Sequence, residues 1–222
     1  QSSGRCWLFT GLNVLRSQMI AKYGLDEMEF SQNYCFFYDQ LEKANLFLQG
    51  IIDTSGKPMD DKMVEWLFKH PLSDGGQFTG VSDIIEKYGL VPKSAMVETF
   101  SSENTGKMSS LIGLKLKEFG LEAAAAGVKP VELEKKKTEM LGTVYRMLVL
   151  TLGEPVSTFT WSLKGGEAKE YTPVSFYKEF LGNDLTNNYV MLMNDPSREF
   201  YKCYEIDFDR HRYDGKNWTY VN

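Results

Sequence analysis

The residue best placed for chemistry in this sequence is Cys6, which directly follows Arg5 in the stretch SSGRCW. Small polar residues and a glycine precede it and suit the start of a helix, so we expect the thiol in a first helical turn. There, free backbone N–H groups and the positive end of the helix dipole favour a thiolate over a thiol. The same N–H groups could hold a developing oxyanion. Cys6 is therefore a candidate nucleophile, although a structural cysteine buried in a helix would fit the same local sequence.

A second candidate for chemistry is the stretch HPLSDGGQFTG, which holds three glycines and a proline in a short span. Gly75 and Gly76 lie at its centre. Glycines let a backbone approach a ligand closely, because no side chain stands in the way. An ordinary surface loop would have the same composition, so both interpretations stay open at this point.

The remaining cysteines indicate neither a metal site nor a disulfide framework. Cys35 and Cys203 bring the total to 3, at wide spacing and without a CxxC pair or a nearby histidine. We therefore expect no bound metal. Free thiols are typical of a reducing compartment, so the sequence predicts a cytoplasmic protein. Cys35 lies within an apolar helical pattern and is expected to be a small buried side chain.

The composition argues against two classes of partner. The formal net charge is -5 and the pI is about 5.2, with basic and acidic residues mixed along the chain. This balance gives no general attraction to nucleic acid or to an anionic membrane. The apolar stretch MLVLTLG is far too short to span a bilayer. We therefore expect a protein without a membrane span and without a nucleic-acid partner.

Four helices are predicted in the first part of the sequence, and they must position Cys6 and the glycine stretch. Apolar residues at helical spacing follow Cys6, and others lie off that stripe, so this helix should be buried on more than one side. The second helix has Ser31 as a suitable N-cap. The predicted ranges of the first, third and fourth helices are 6–22, 60–69 and 81–88, the last ended by Gly89.

The second part of the sequence changes from a helical to a strand pattern. Residues 107–152 are charged and helical in pattern, and the run ELEKKK within them is interpreted as a solvated face. The later segments YVMLMNDP, YKCYEIDFDRH and NWTYVN are rich in aromatic and β-branched residues, which predicts strands. Asp214 and Gly215 form a turn signal that predicts a hairpin. Helices first and strands last indicate an α+β fold.

Several motifs taken together resemble those of papain-like cysteine peptidases of the bleomycin hydrolase and aminopeptidase C family. SSGRCWLF resembles their active-site segment, and the same order continues through FSQNYCFFYDQLEKAN, DGGQF, EKYGLVPKSAMVETF, TFTW, TPVSFYKEF, LMNDP and NWTY. The resemblance therefore covers essentially the whole chain. It implies a papain-like fold in which residues 1–106 form the helical half with the nucleophile helix and the groove loop. Residues 107–152 would be an inserted helical region, and 153–222 the first strands of the β-rich half.

The resemblance also implies an activity and its site residues. Cys6 matches the nucleophile of a cysteine aminopeptidase, which cleaves peptide bonds near the N-terminus through a thioester acyl-enzyme. Trp7 matches the adjacent core aromatic residue. Gly75 and Gly76 match the glycine pair along the substrate groove, where a backbone can pair with an extended peptide. The family further implies peptide substrates, no metal or organic cofactor, and a homohexamer.

Two residues of the family's catalytic machinery have no match in this sequence. Five residues separate the family's oxyanion glutamine from its cysteine, whereas four separate Gln1 from Cys6, so we do not assign that role to Gln1. The general-base histidine and its orienting Asn or Asp are expected after Asn222. His70 is interpreted as a cap at a helix end, and His211 as a solvated residue beside the predicted hairpin turn.

Because the base is expected outside this chain, two other interpretations stay open. The chain could be a catalytically silent fragment or homologue that serves as an assembly or binding subunit. Cys6 could alternatively be a redox-sensing thiol.

Overall fold

Helices dominate the first part of the folded chain, and short strands with an intervening helix follow, in agreement with the α+β interpretation. The computed structural model describes residues 2–124, 130–182, 184–206 and 209–222. Within these ranges the helices are α1 (Cys6–Tyr23), α2 (Gln32–Asp53), α3 (Lys62–Lys69), α4 (Phe78–Tyr88), α5 (Phe100–Glu103), α6 (Gly106–Ala124), α7 (Pro130–Leu152) and α8 (Pro173–Phe180). The strands are β1 (Phe159–Trp161), β2 (Lys169–Tyr171), β3 (Met191–Leu192), β4 (Cys203–Glu205) and β5 (Thr219–Val221).

Helix α1 carries Cys6 at its first position and packs into the centre of the helical part. Its buried residues are those at helical spacing, so each large apolar side chain contributes about 1.5–3 kcal/mol relative to exposure. Val14 is 42% exposed, which corrects the expectation of burial on more than one side to one broad face. A Cβ at Gly11 would lie 2.6 Å from Cγ2 of Val81, so this glycine lets α1 and α4 approach closely.

Helix α2 is the main support of the helical part and packs against α1, α4, α6 and α7. Its predicted N-cap is confirmed, because Oγ of Ser31 accepts a hydrogen bond from the N–H of Tyr34 at 3.0 Å. Cys35 is fully buried in this helix, and burial raises the pKa of its thiol to about 12. The interpretation of Cys35 as a small packing residue therefore agrees with its place in the fold.

Helices α6 and α7 form the helical region predicted at 107–152. The run ELEKKK lies on α7 and is only partly solvated, which corrects the sequence interpretation. Lys137 is 8% exposed, and its ammonium donates a hydrogen bond of 2.6 Å to Oε1 of Gln49 on α2. It also lies 4.6 Å from the ring centre of Tyr213. This lysine therefore joins α7 to α2 and to the later part of the chain.

The strands form two small sheets. Strands β1 and β2 pair antiparallel, while β5 pairs antiparallel with β4 and parallel with β3. The predicted pairing of β4 and β5 is confirmed, but their connection is longer than a tight hairpin and runs from residue 206 to residue 218. Asp214 and Gly215 lie in a turn within it, where the N–H of Gly215 donates to the carbonyl of Arg212 at 3.1 Å.

The β4–β5 connection is fastened to α4. The backbone N–H of His211 donates to Oδ2 of Asp83 at 2.9 Å, and the indole N–H of Trp218 donates to Oδ1 of the same carboxylate at 3.3 Å. Lys87 pairs with Asp214 at 3.2 Å. The strand-rich part is thereby held beside the helices that carry the candidate site.

None of the described helices is long and apolar enough to cross a membrane.

Candidate active site

Cys6 is solvent-exposed at the first position of α1. Arg5 is the N-cap residue, and its carbonyl accepts hydrogen bonds from the N–H groups of Leu8 and Phe9 at 3.0 and 3.1 Å. The N–H groups of Cys6 and Trp7, in the first turn, have no intrahelical acceptor. A substrate carbonyl can therefore meet the thiol and an unpaired N–H group at the same helix end.

The charge of Arg5 does not face the thiol, although Arg5 directly precedes Cys6 in the sequence. Its side chain is fully buried, and Nη2 lies 2.8 Å from Oε2 of Glu98. Nε donates to Oγ of Ser3 at 3.0 Å, and the guanidinium lies over the rings of Phe9 and Phe36. Because Glu98 neutralises the guanidinium, Arg5 anchors the start of α1.

The glycine stretch is tied to the residues on both sides of Cys6. The N–H of Gly4 donates to Oδ2 of Asp74 at 2.6 Å, and the indole N–H of Trp7 donates to the carbonyl of Asp74 at 2.9 Å. Thr105 donates its hydroxyl to the same Oδ2 at 2.6 Å. Burial tends to raise the pKa of Asp74, but the hydrogen bonds from Thr105 and Gly4 outweigh it and hold this pKa below its usual range. Asp74 thus fixes the loop beside the thiol.

The two glycines of this loop differ in their contacts. Gly75 is half-buried, its N–H donates to Oγ of Ser73 at 3.1 Å and its carbonyl accepts from Lys43 at 2.6 Å. Gly76 is exposed, and among the described residues its N–H and carbonyl have no hydrogen-bond partner. A Cβ at Gly76 would lie 2.7 Å from the indole of Trp7, so a larger residue would displace the loop. Gly76 can therefore offer both backbone groups to a ligand.

Neither histidine forms a hydrogen bond with Cys6 in the described part of the chain. His70 is exposed and caps the C-terminus of α3, where its N–H donates to the carbonyl of Trp66 at 2.9 Å, in agreement with the sequence interpretation. His211 is not solvated as expected. It is half-buried, with its ring centre 5.8 Å from that of Trp7, and burial lowers its pKa.

Other site residues were outside the sequence predictions. Asp74 and Lys43 both hold the loop. They lie within the motifs DGGQF and FSQNYCFFYDQLEKAN, but the sequence analysis gave neither residue a role. The one available signal was the position of Asp74 directly before the glycine pair. Gln1 lies outside the described residues. Within the described part of the chain, no group of three or more His, Cys, Asp or Glu side chains could hold a metal ion.

The chain matches known proteins over its whole length. The sequence model described as the Peptidase C1-like family matches residues 1–222. Aminopeptidase C of Listeria monocytogenes is 39% identical over 229 residues, a match covering 100% of this chain and 52% of that protein. Bleomycin hydrolase of Homo sapiens is 33% identical over 237 residues, covering 100% of this chain and 52% of that protein. The chain therefore spans about half the length of the curated relatives it matches.

A solved structure shows the same fold. The crystal structure of pepw from Lactobacillus rhamnosis has a TM-score of 0.91 and 33% sequence identity to this chain. The match covers 100% of this chain and 52% of that one.

Proposed function

Because this chain belongs to the Peptidase C1-like family and has its α+β papain-like fold, we propose that the protein is a cysteine aminopeptidase of the bleomycin hydrolase and aminopeptidase C type. The observation that carries the proposal is the exposed thiol of Cys6 at the N-terminus of α1, beside a loop anchored at Gly4 and Trp7. This arrangement supplies a nucleophile, unpaired N–H donors and a groove wall in one place.

In the proposed reaction, the Cys6 thiolate attacks the carbonyl carbon of a peptide bond near the N-terminus of the substrate. The carbonyl oxygen takes up the negative charge, and the N–H of Cys6 stabilises it. The C–N bond then breaks, and the leaving amine takes a proton from the general acid that deprotonated the thiol. The family resemblance implies that this acid is a histidine. Water then hydrolyses the thioester and restores the thiol.

The substrate is proposed to bind as an extended peptide along the glycine loop. Gly76 supports this, since its exposed N–H and carbonyl can form the two hydrogen bonds that one strand residue offers to its neighbour. The N–H and carbonyl of Gly75 are already bound by Ser73 and Lys43. Gly75 therefore contributes by positioning the backbone of Gly76, and its own polar groups do not bind the peptide. Neither a metal nor an organic cofactor takes part in this chemistry.

The assembly, the cellular location and the domain division stay proposals. The assembly and the domain division rest on the resemblance, and the location rests on the free cysteines. These proposals are a homohexamer in the cytoplasm, with residues 1–106, 107–152 and 153–222 as the helical half, the inserted region and the first strands of the β-rich half. Light scattering on the full-length protein measures the number of subunits in the assembly directly.

The activity is tested by Cys6→Ala in the full-length protein, with a fluorogenic aminoacyl amide as substrate. We expect turnover to fall by at least about a thousandfold, because the covalent step is lost. Cys203→Ala is the matched control, since this cysteine is also exposed but lies on β4. It should keep wild-type turnover. Unchanged turnover in Cys6→Ala would refute the assignment.

The same assay separates the two other interpretations of Cys6. A wild-type protein that folds but hydrolyses no peptide would favour a silent assembly or binding subunit. Reversible oxidation of Cys6 at low peroxide, again without peptidase activity, would favour a redox-sensing thiol.

A further inference from the structure

Lys43 reaches from α2 to the backbone of the glycine loop. Its side chain is only 13% exposed. Its ammonium lies 2.8 Å from Oδ2 of Asp39, 3.0 Å from the carbonyl of Ser73 and 2.6 Å from the carbonyl of Gly75. An ammonium has three N–H donors, so these three acceptors account for all of them.

The charge of Lys43 is balanced by a buried carboxylate. Asp39 lies one turn earlier on α2 and is fully buried. The neighbouring Gln40 is also buried, and its Nε2 donates to Oδ2 of Asp39 at 3.0 Å and to the carbonyl of Ser73 at 2.9 Å. Buried polar groups connected in this way hold their partners in fixed positions. Helix α2 therefore fixes the glycine loop through Lys43 and Gln40.

Three consecutive carbonyls of the loop are turned inwards by these contacts. Lys43 binds the carbonyls of Ser73 and Gly75, and the indole N–H of Trp7 binds the carbonyl of Asp74. The ammonium also lies 5.3 Å from the ring centre of Trp7, within the range of a cation–π contact. Gly76 follows directly and is exposed with unpaired backbone groups.

We propose that Lys43 is a positioning residue for the substrate groove, because it holds the carbonyls of Ser73 and Gly75 so that the backbone of Gly76 faces an extended peptide. This inference rests on the proposed peptidase function. Lys43 does not contact the substrate and takes no part in the bond cleavage. Its effect is on the binding of the peptide backbone, and the reactivity of Cys6 is independent of it.

The first test is Lys43→Met in the full-length protein. We expect KM for a peptide substrate to rise about tenfold with kcat changed less than about twofold, because a binding contact common to ground and transition states is lost. The rate of Cys6 alkylation by iodoacetamide should keep its wild-type pH profile, since this small reagent does not use the groove. Lys43→Arg keeps the charge, but its guanidinium is larger and planar, so we expect it to restore only part of the lost affinity.

Two further variants separate positioning from folding. Lys43→Met leaves the buried carboxylate of Asp39 without its cation. The double variant Asp39→Leu/Lys43→Leu replaces both charges with apolar groups, so it should fold while showing the same rise in KM. Lys69→Met is the matched control, because Lys69 pairs at 2.6 Å with Glu65, also one turn earlier on its helix, but is exposed. It should leave KM unchanged.

Amide hydrogen exchange distinguishes failure of this inference from failure of the proposed function. The segment 73–77 should exchange faster in Asp39→Leu/Lys43→Leu than in the wild type, whether or not the protein cleaves peptides. Unchanged exchange in that variant overturns the positioning role even if the wild type is an active peptidase. Faster exchange with an unchanged KM overturns the link to the substrate.

Discussion

At the scale of single residues, the local sequence identified the candidate nucleophile but not the groups that hold it. The position of Cys6 in a first helical turn follows from the small residues before it and the apolar spacing after it. The role of Arg5 could not be predicted, because its partner Glu98 lies 93 positions away in the sequence. Lys43 and the loop carbonyls are separated by 30 and 32 positions. Contacts between distant segments depend on tertiary packing, which no local pattern encodes.

The buried ion pair gives a prediction at this scale. Arg5→Met should lower the free energy of unfolding by about 2–4 kcal/mol, because it leaves a largely buried carboxylate at Glu98 without its partner. Arg16→Met is the matched control, since Arg16 and Glu29 are 38% and 39% exposed, and we expect a loss below about 1 kcal/mol. Urea denaturation of both variants measures the difference, and equal losses would contradict the buried role of Arg5.

At the scale of elements, spacing and capping signals predicted the helices well, while the contacts between elements needed the structure. Gly89 was predicted as the end of the fourth helix, and it is the C-cap residue of α4. The sequence did not indicate that α8 packs there, although the N–H of Leu90 donates to the carbonyl of Pro173 at 3.1 Å. The length of the connection between β4 and β5 was likewise not predicted, because the Asp-Gly signal at its turn suggested a tight hairpin.

Gly89 gives a prediction about this contact. Its φ is +77° with ψ -162°, a combination essentially restricted to glycine, and a Cβ would lie 2.2 Å from the carbonyl carbon of Pro173. Gly89→Ala should therefore destabilise the fold by more than about 3 kcal/mol. Gly24→Ala is the control, because Gly24 has a φ of +61° with nothing near the added Cβ, and should cost only about 1–2 kcal/mol. Similar thermal shifts in both variants would exclude the contact with α8.

The docking of the β4–β5 connection gives a pH prediction. Burial lowers the pKa of His211, and the charged groups facing it are Asp39, Lys43, Asp83 and Asp209. Its pKa in the unfolded chain is near 6.5, so the unfolded chain binds the proton first as the pH falls. The contribution of His211 to stability is therefore complete above about pH 6.5 and is lost as the pH decreases below it.

This pH dependence is measured as the urea midpoint at about pH 7.5 and about pH 5.5. His211→Phe keeps an aromatic ring against Trp7 and should reduce the difference between the two midpoints. Asp83 acts with the opposite sign, because burial raises its pKa, and it is present in every variant compared. His70→Phe should leave the difference unchanged, since this residue is exposed at the end of α3. If the difference between the two urea midpoints in His211→Phe equals that of the wild type, His211 is not the source of the pH dependence.

At the scale of the whole molecule, the α+β class was predictable because the helical and strand patterns are separated along the chain. One hydrophobic core cluster includes residues of α1, α2, α6, α7 and α8, so side chains from all three proposed regions contact a common interior. The sequence could not predict this, since the charged surface of α7 obscured its buried face.

The common interior predicts a single cooperative unfolding transition. Tyrosine and tryptophan fluorescence and far-ultraviolet circular dichroism should give the same urea midpoint, because the inserted helices cannot unfold while the core around α2 stays intact. Cys35 provides an independent probe, since its buried thiol should become reactive at that same midpoint. Separate transitions for these signals would support independent domains.

The indole of Trp7 lies directly beneath Gly76, donates its N–H to the loop and meets Lys43 and His211 around its ring. Tryptophan emission is sensitive to the charges and hydrogen bonds around the indole. The protein therefore carries its own optical reporter one residue from the thiol. Occupation of the proposed groove can be read as a change in the wavelength and intensity of tryptophan emission, without any label attached to the protein or to the peptide.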